Sequence, residues 1–349
     1  MKRFTGLLLV AALGLSVLAG CTTSTDTEVQ SEITSAVSEV STDSEEPTTT
    51  EEATTIRVGA LSGPTAMGMV KLMSDSDAGT TENTYEFAAL QTDASAFVTD
   101  MVQGNLDIAA VPSNLAANIY NKTEGGVQVI AVNVYGVLSI VERGDSISSI
   151  SDLKGKTIYA TGQGAIPEVT LRYLLSENGM DLDTDLTVTW CSDTTEALSY
   201  ITSDENAIAM LPQPFVTAAK AQVSDLNVAL DLSEEWAKVC DTNIVTGVLL
   251  VRTEFAEAYP EQLAKFLEEY EASVDYTLEN TADAATLIES YGIVGKAAIA
   301  EKALPNCNIC CLTGSEMKTT LSAFLQVIYD FNPQLVGGTL PGDDFYYEP

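Results

Sequence analysis

The stretch that most constrains the fold is GNLDIAAVPSNLAANIY, Gly104–Tyr120. An apolar strand-like run passes through a Pro-Ser-Asn turn into apolar residues at three- and four-residue spacing, the period of a helix. The theme recurs. TIRVGAL reads as a strand, Thr65 can cap a helix carrying Met69, Val70, Leu72 and Met73, YEFAAL is a second strand and Ser95–Gln103 a second helix. A further series follows in KGKTIYATGQGAIPEVTLRYLL, LTVTWCSDTTEAL and ENAIAMLPQPFVTAA. Strands alternating with helices predict an α/β protein with mostly parallel sheets covered on both faces.

Two features divide the series. VQVIAVNVYGVLSIVER is too long an apolar run for one ordinary strand and is interrupted at Asn133, Tyr135 and Gly136, so it predicts two strands joined by a crossing. TNIVTGVLLVRTEF predicts another strand, and from there to Tyr329 the pattern is helical, with Ala256–Tyr276 and Ser315–Tyr329 the clearest segments. Two β/α units result, the second inserted into the first: lobe 1 from 55–134 and 246–349, lobe 2 from 135–245. Ligands of open α/β sheets sit beyond the carboxyl ends of strands, which directs attention to the loops there.

The N-terminal residues predict export from the cytoplasm. Lys2 and Arg3 precede an apolar run from Leu7 to Leu18 that is short for a membrane span, and LAGC closes it at Cys21. Residues 1–20 therefore read as a signal peptide, and Cys21 resembles the lipidated cysteine of bacterial lipoproteins, which predicts anchoring to the outer face of the cell membrane. Residues 21–54 are mostly Ser, Thr and acids, with nine acids before Arg57, a composition that cannot bury a core and predicts an extended tether. A recognition tail for a basic partner is the alternative reading.

The chain has 50 acidic against 16 basic residues and no histidine. Acidity argues against nucleic acid and against tight binding to anionic lipid. Lack of histidine excludes Ser-His-Asp and Cys-His catalysis and histidine-containing zinc sites, while chemistry by paired carboxylates survives. No cofactor or metal is expected. Cys307, Cys310 and Cys311 in NCNICC lack a second pair at zinc-knuckle spacing, and with Cys191 and Cys240 they make an odd set that leaves at least one thiol free.

Four loops follow strands and open helices: LSGPTA, VPSNLA, ATGQGAIPE and LPQPF. Such turns aim unpaired helix N–H groups at a ligand, although each could be an ordinary tight connection. The first, GALSGPTAMGMVKLM, spaces Gly63 and Gly68 like a phosphate loop but has Met69 and Val70 where Lys and Ser/Thr belong. None of the four contains Arg or Lys, which favours a neutral, zwitterionic or weakly anionic solute. Among the nearby methionines, Met69 and Met73 fit a helix core, and Met67 is a candidate cleft residue.

LSGPTAMGMVKL, LDIAAVPSNLAANIYNK, SISDLKGKTIYATGQGAIPE, AMLPQPFVTAA and the terminal GGTLPGDDF and FYY resemble the solute-binding lipoproteins of ABC importers, in the nitrate, sulfonate, taurine and thiamine-precursor class. The resemblance spans nearly all of Ile56–Tyr347. It implies a bilobed type II periplasmic-binding-protein fold, closure of two lobes about one small solute, and delivery to a permease with its ATPase, with no catalysis and with a monomer expected. The ligand-binding residues it implies are Ser62, Gly63, Pro64, Thr65, Ser113, Asn114, Tyr135, Gly162, Gln163, Gly164, Ala165, Pro212, Gln213, Pro214 and Phe215, with Thr242 and Asn243 before the return crossing. Thr65, Ser113, Gln163 and Gln213 would supply hydrogen-bonding side chains, Gly164 and Ala165 backbone donors, and Tyr135 and Phe215 apolar walls. The alternatives are an enzyme on the same fold, resembling those of menaquinone synthesis, and an adhesion or scaffold lipoprotein.

Overall fold

The computed structural model describes residues 54–91 and 95–348. The expected signal peptide, the lipidation site Cys21 and the tether up to residue 53 lie outside the described residues. In chain order the strands are β1 (Thr55–Ala60), β2 (Thr84–Phe87), β3 (Ile108–Pro112), β4 (Val127–Tyr135), β5 (Leu138–Arg143), β6 (Thr157–Ala160), β7 (Thr187–Trp190), β8 (Ile208–Pro212), β9 (Leu226–Asp231), β10 (Val245–Arg252) and β11 (Ile309–Leu312). They form one sheet in the order β11-β4-β10-β3-β1-β2 and another in the order β7-β6-β8-β5-β9. The chain leaves the first sheet at Tyr135, enters the second at Leu138 and is back in the first at Val245.

The sheets are mixed, which corrects the expectation of mostly parallel pairing. β1 runs parallel to β2 and β3, and β6 to β7 and β8. β10 is antiparallel to both β3 and β4, and β5 to both β8 and β9. The reason lies in the crossings: a strand that begins by arriving from the other sheet enters from the cleft end, whereas a strand fed by its own helix enters from the far end.

Burial follows strand alternation. On β10, Val248 and Leu250 enter one apolar cluster while Leu249 and Val251 enter the other, on the opposite face of the sheet. One cluster is closed by the helices Val70–Asp77, Pro260–Glu279 and Thr281–Ser290, and includes Phe266 and Tyr270. The other carries Phe97, Ile119 and Phe324 and continues through Trp236 and Leu171 into the second sheet. Met67, expected as a cleft residue, is fully buried in the first of these clusters beside Met69. The turn Pro64–Met67 points it inward, so all three methionines there are core.

Two strands escape the sequence pattern. LNVALD forms β9, an edge strand with only Leu226 and Leu230 fully buried, and ICCL forms β11 inside a region expected to be helical. The helical region is also broken at Tyr291–Lys296, where Gly292 adopts a left-handed φ of 71° and the next helix starts only at Ala297.

Candidate functional site

The loop after β1 is shaped by Gly63, whose φ of 103° only glycine adopts readily. It turns the chain into Pro64–Met67; Thr65 lies inside this short helix and does not cap the Val70–Asp77 helix as expected, because its hydroxyl donates back to the Leu61 carbonyl at 2.6 Å. Ser62 donates its backbone N–H to Gln91 at 2.8 Å and its hydroxyl to the Ile293 carbonyl at 3.3 Å. This loop is therefore tied to the break between the Thr281–Ser290 and Ala297–Ala303 helices.

After β3, Ser113 is fully buried and donates to the Val245 carbonyl at 2.6 Å, joining this loop to the return crossing. Asn114 reaches the Leu335 carbonyl at 3.4 Å. At the first crossing, the Tyr135 N–H donates to Asn308 at 3.0 Å, and burial pushes its phenol up to about 12, with Cys310 and Glu316 adding to the effect. After β6, Gly162 lies against the ring of Pro167, Gln163 is exposed, and the Gly164 N–H donates to Glu168 at 2.7 Å; Ala165 precedes the Ile166–Glu177 helix. After β8, Pro212 ends the strand and Gln213 accepts from the Thr217 hydroxyl at 2.8 Å. The Thr242 carbonyl accepts from the Trp236 indole, and Asn243 is exposed.

A cavity of about 590 Å³ opens between the two sheets. Of the expected residues it gathers Ser62 and Gly63 from the first sheet and Pro214 and Phe215 from the second. Pro64, Thr65, Ser113, Asn114, Tyr135, Gly162–Ala165, Pro212, Gln213, Thr242 and Asn243 do not line it, although Gln213 lines a neighbouring cavity. The wall also includes two segments that sequence reasoning missed: Asp193–Thr195 after β7, and Ile293–Lys296 with Ile299. Two glycines within an otherwise helical pattern, Gly292 and Gly295, are the signal that would have marked the second.

The charges of the cavity come from outside the four loops. Arg57, Arg143, Arg172 and Arg252 each pair with carboxylates and none lines it. Lys296 does, from one side, and Asp193 from the other. Asp193 also caps the Thr194–Ser203 helix by accepting from the Glu196 N–H. The rest of the wall is mainly apolar, with Leu61, Phe215, Ile293 and Ile299 prominent. The cavity can thus hold a solute with an apolar body and groups of both charges, by burial, ion pairing and hydrogen bonds.

The five described cysteines are free thiols. Cys307 is fully buried in the core, and burial pushes its thiol up to about 12, as it does for Cys310 and Cys311. Thiols kept protonated in this way are poor nucleophiles at neutral pH.

Two α/β sheets joined by two crossings, with a cavity lined from both, define the bilobed periplasmic-binding-protein class. A sequence model of the phosphonate periplasmic substrate-binding proteins of ABC transporters matches residues 82–301, and the chain belongs to that family. It is the periplasmic substrate-binding component of an ABC transporter. An ABC transporter structure from Parabacteroides distasonis is similar with a TM-score of 0.72 at 22% identity, covering 84% of this chain and 99% of its own. The periplasmic aliphatic sulphonate-binding protein of Escherichia coli gives 0.69 at 15% identity over 84% of this chain and 92% of its own. A putative periplasmic sulfonate-binding protein of Methylobacillus flagellatus gives 0.61 at 16%, over 85% and 92%. These three likenesses are of fold. Comparison with curated proteins finds no match. Among the described residues, no helix is long and apolar enough to cross a membrane.

Proposed function

We propose that the chain is a lipid-anchored binding subunit that captures a small zwitterionic organic solute between its lobes, closes on it and presents it to a permease and ATPase. The observation that carries this reading is the cavity of about 590 Å³, with Phe215 and Ile293 as apolar walls and with Asp193 and Lys296 contributed from opposite sides. An acid group on the solute meets Lys296 and an amine meets Asp193, while Ser62 and Thr194 offer hydroxyls. Phosphonate, sulfonate and carboxylate head groups all satisfy Lys296, and the family model and the sulfonate-binding structures support the first two. Binding and delivery are the whole of the activity.

The site residues expected from the loops enter this reading in two roles. Ser62, Gly63, Pro214 and Phe215 touch the solute, and Thr65, Ser113 and Gly164 hold the loops in place through their internal hydrogen bonds.

Native mass spectrometry of the purified full-length chain, followed by thermal shifts with amino-phosphonates, amino-sulfonates and amino acids, tests it. A solute at a hundred times its dissociation constant adds about 2.7 kcal/mol of stability. A panel in which nothing shifts the melting, or in which Lys296→Met leaves the shift intact, sinks the reading.

A further inference from the structure

A second cavity, of about 360 Å³, lies across the Phe215–Gln222 helix from the first. Phe215 and Ala218 line the solute cavity, whereas Val216, Thr217, Lys220 and Ala221 line the second, so their helical spacing sets the two groups on opposite faces. The Ala297–Ala303 helix of the other lobe packs on this one and divides its own residues likewise: Ile299 reaches the solute cavity and Lys302 the second.

The polar wall of the second cavity comes from both lobes: Ser139, Gln213, Lys220 and Asp231 on one side, Lys302 and Asn306 on the other. Ser139 and Gln213 are more than nine-tenths buried. Among the described residues, the Ser139 hydroxyl and the Gln213 amide nitrogen have no protein partner, so their hydrogen-bonding capacity is left for an occupant.

Charge makes the same point. In a chain with 50 acids and 16 bases a cation finds a carboxylate easily. Arg57, Lys71, Arg143, Lys154, Arg172, Lys238, Arg252, Lys265 and Lys318 have all done so. Lys122, Lys156, Lys220, Lys296 and Lys302 form no ion pair among the described residues, and of these Lys220 and Lys302 line one cavity from opposite lobes.

Asp231 is the one acid in that wall. Its Oδ1 accepts from the backbone N–H groups of Ser233 at 2.8 Å and Glu234 at 3.2 Å, which offsets part of its charge and leaves Oδ2 as an acceptor. A carboxylate can face an oxyanion favourably only where that anion carries a proton to donate.

We propose that this second cavity binds a protonated oxyanion of the phosphate class, held by Lys220 and Lys302 across the lobes, with Asp231 accepting its hydroxyl. The site is separate from the solute cavity and does not depend on what the first one carries. An anion there joins the Phe215–Gln222 and Ala297–Ala303 helices, so lobe contact becomes responsive to phosphate.

The test is calorimetric titration of the full-length chain with inorganic phosphate, and with sulfate at matched ionic strength. Losing one charge-assisted contact weakens binding by about tenfold, so K220M and K302M should each lose roughly that much. Sulfate, lacking a proton, should bind wild type more weakly than phosphate does, and D231N should shrink that preference. Both lysines are exposed, and Lys→Gln variants read alongside the methionine ones guard against a folding artefact. Equal phosphate binding by wild type and K220M/K302M overturns the proposal. So does loss of phosphate binding in K296M with retention in K220M/K302M, which would put the anion in the solute cavity.

Discussion

Asp107 holds Arg57 through both carboxylate oxygens, with Nε to Oδ2 at 2.8 Å and Nη2 to Oδ1 at 2.6 Å. The same Oδ1 also accepts from Arg252 at 2.9 Å, so a buried acid just before β3 joins the first residues of β1 to the last of β10. Breaking a buried pair strands the remaining charges, but the Arg57 side chain is 36% exposed and retains some water. Asp107→Asn should therefore cost about 3 kcal/mol in chemical denaturation, the lower end for such pairs.

The pH dependence follows from the same carboxylate. Burial pushes the Asp107 carboxyl up, hydrogen bonds from Arg57 and Arg252 pull it down further, and the net result lies below the usual carboxylate range. A group with a depressed folded pKa contributes its full stability above the unfolded value of about 4 and loses it as the pH falls through the folded one. Thermal melts from neutral pH downward should show wild type losing stability below about pH 4 more steeply than Asp107→Asn. Parallel slopes would show that the pair does not contribute.

Trp236 stacks obliquely on Tyr173 at 4.4 Å and meets Phe324 edge-on at 5.9 Å, with its indole N–H donated to Thr242 at 2.8 Å. It joins the second sheet's helices to the Gly314–Phe331 helix of the first lobe. Trp236→Ala should cost about 3–5 kcal/mol, seen as a lower denaturation midpoint. Trp190, half-buried at the end of β7 and close in sequence to Asp193, is the better reporter of solute. A solute-induced emission change should survive Trp236→Phe and vanish in Trp190→Phe.

Gly247 on β10 has no room for a side chain. A Cβ there would sit 2.5 Å from the Asn133 amide oxygen and 2.7 Å from the Thr65 methyl. Asn133 donates to the Thr65 carbonyl at 3.0 Å, so the crowding reaches the loop after β1. Gly247→Ala should destabilise by about 1–3 kcal/mol, as overpacking does, and weaken solute binding through the displaced Ser62–Thr65 segment. Unchanged binding in a variant that is measurably less stable would separate this strand from the site.

Phe215 and Lys296 line the same cavity from opposite lobes. Phe215→Ala should weaken binding of the identified solute by about tenfold through lost apolar contact. Lys296→Met should act only on solutes with an acid group, a contrast measurable by titrating an acid and its amide. Equal losses for both would argue against a charge contact.

The proposed lipid anchor is Cys21. Cys21→Ser should move the exported chain from the membrane to the soluble fraction and abolish labelling by radioactive palmitate. Continued attachment would assign the anchor to another segment.

Much of the fold was legible in periodicity. β3 and the Ser113–Thr123 helix follow the Ile108–Val111 run and the turn after it, and the crossing at Tyr135–Leu138 was marked by Gly136 within an otherwise apolar stretch. β9 and β11 were not legible, because a four-residue or half-buried edge strand has too few apolar positions to display a period. Strand direction was also hidden. The same Val-rich run serves in either direction, and only the crossing determines which.

The site divides along the same line. Local chemistry determined which turns could open a helix, with Gly63 for a left-handed backbone and Pro214 ahead of the Phe215–Gln222 helix, but not what Thr65 does there, since its hydroxyl bonds back to Leu61 instead of capping. Which turns share a cavity was decided by the packing of one lobe on the other. That packing brought Phe215 to Ile293 and Lys296, residues about eighty positions away. A sequence read alone shows neighbours along the chain, whereas a cleft is built from contacts across it. The charge of a cleft, here Lys296 of one lobe together with Asp193 of the other, exists only once the lobes are assembled.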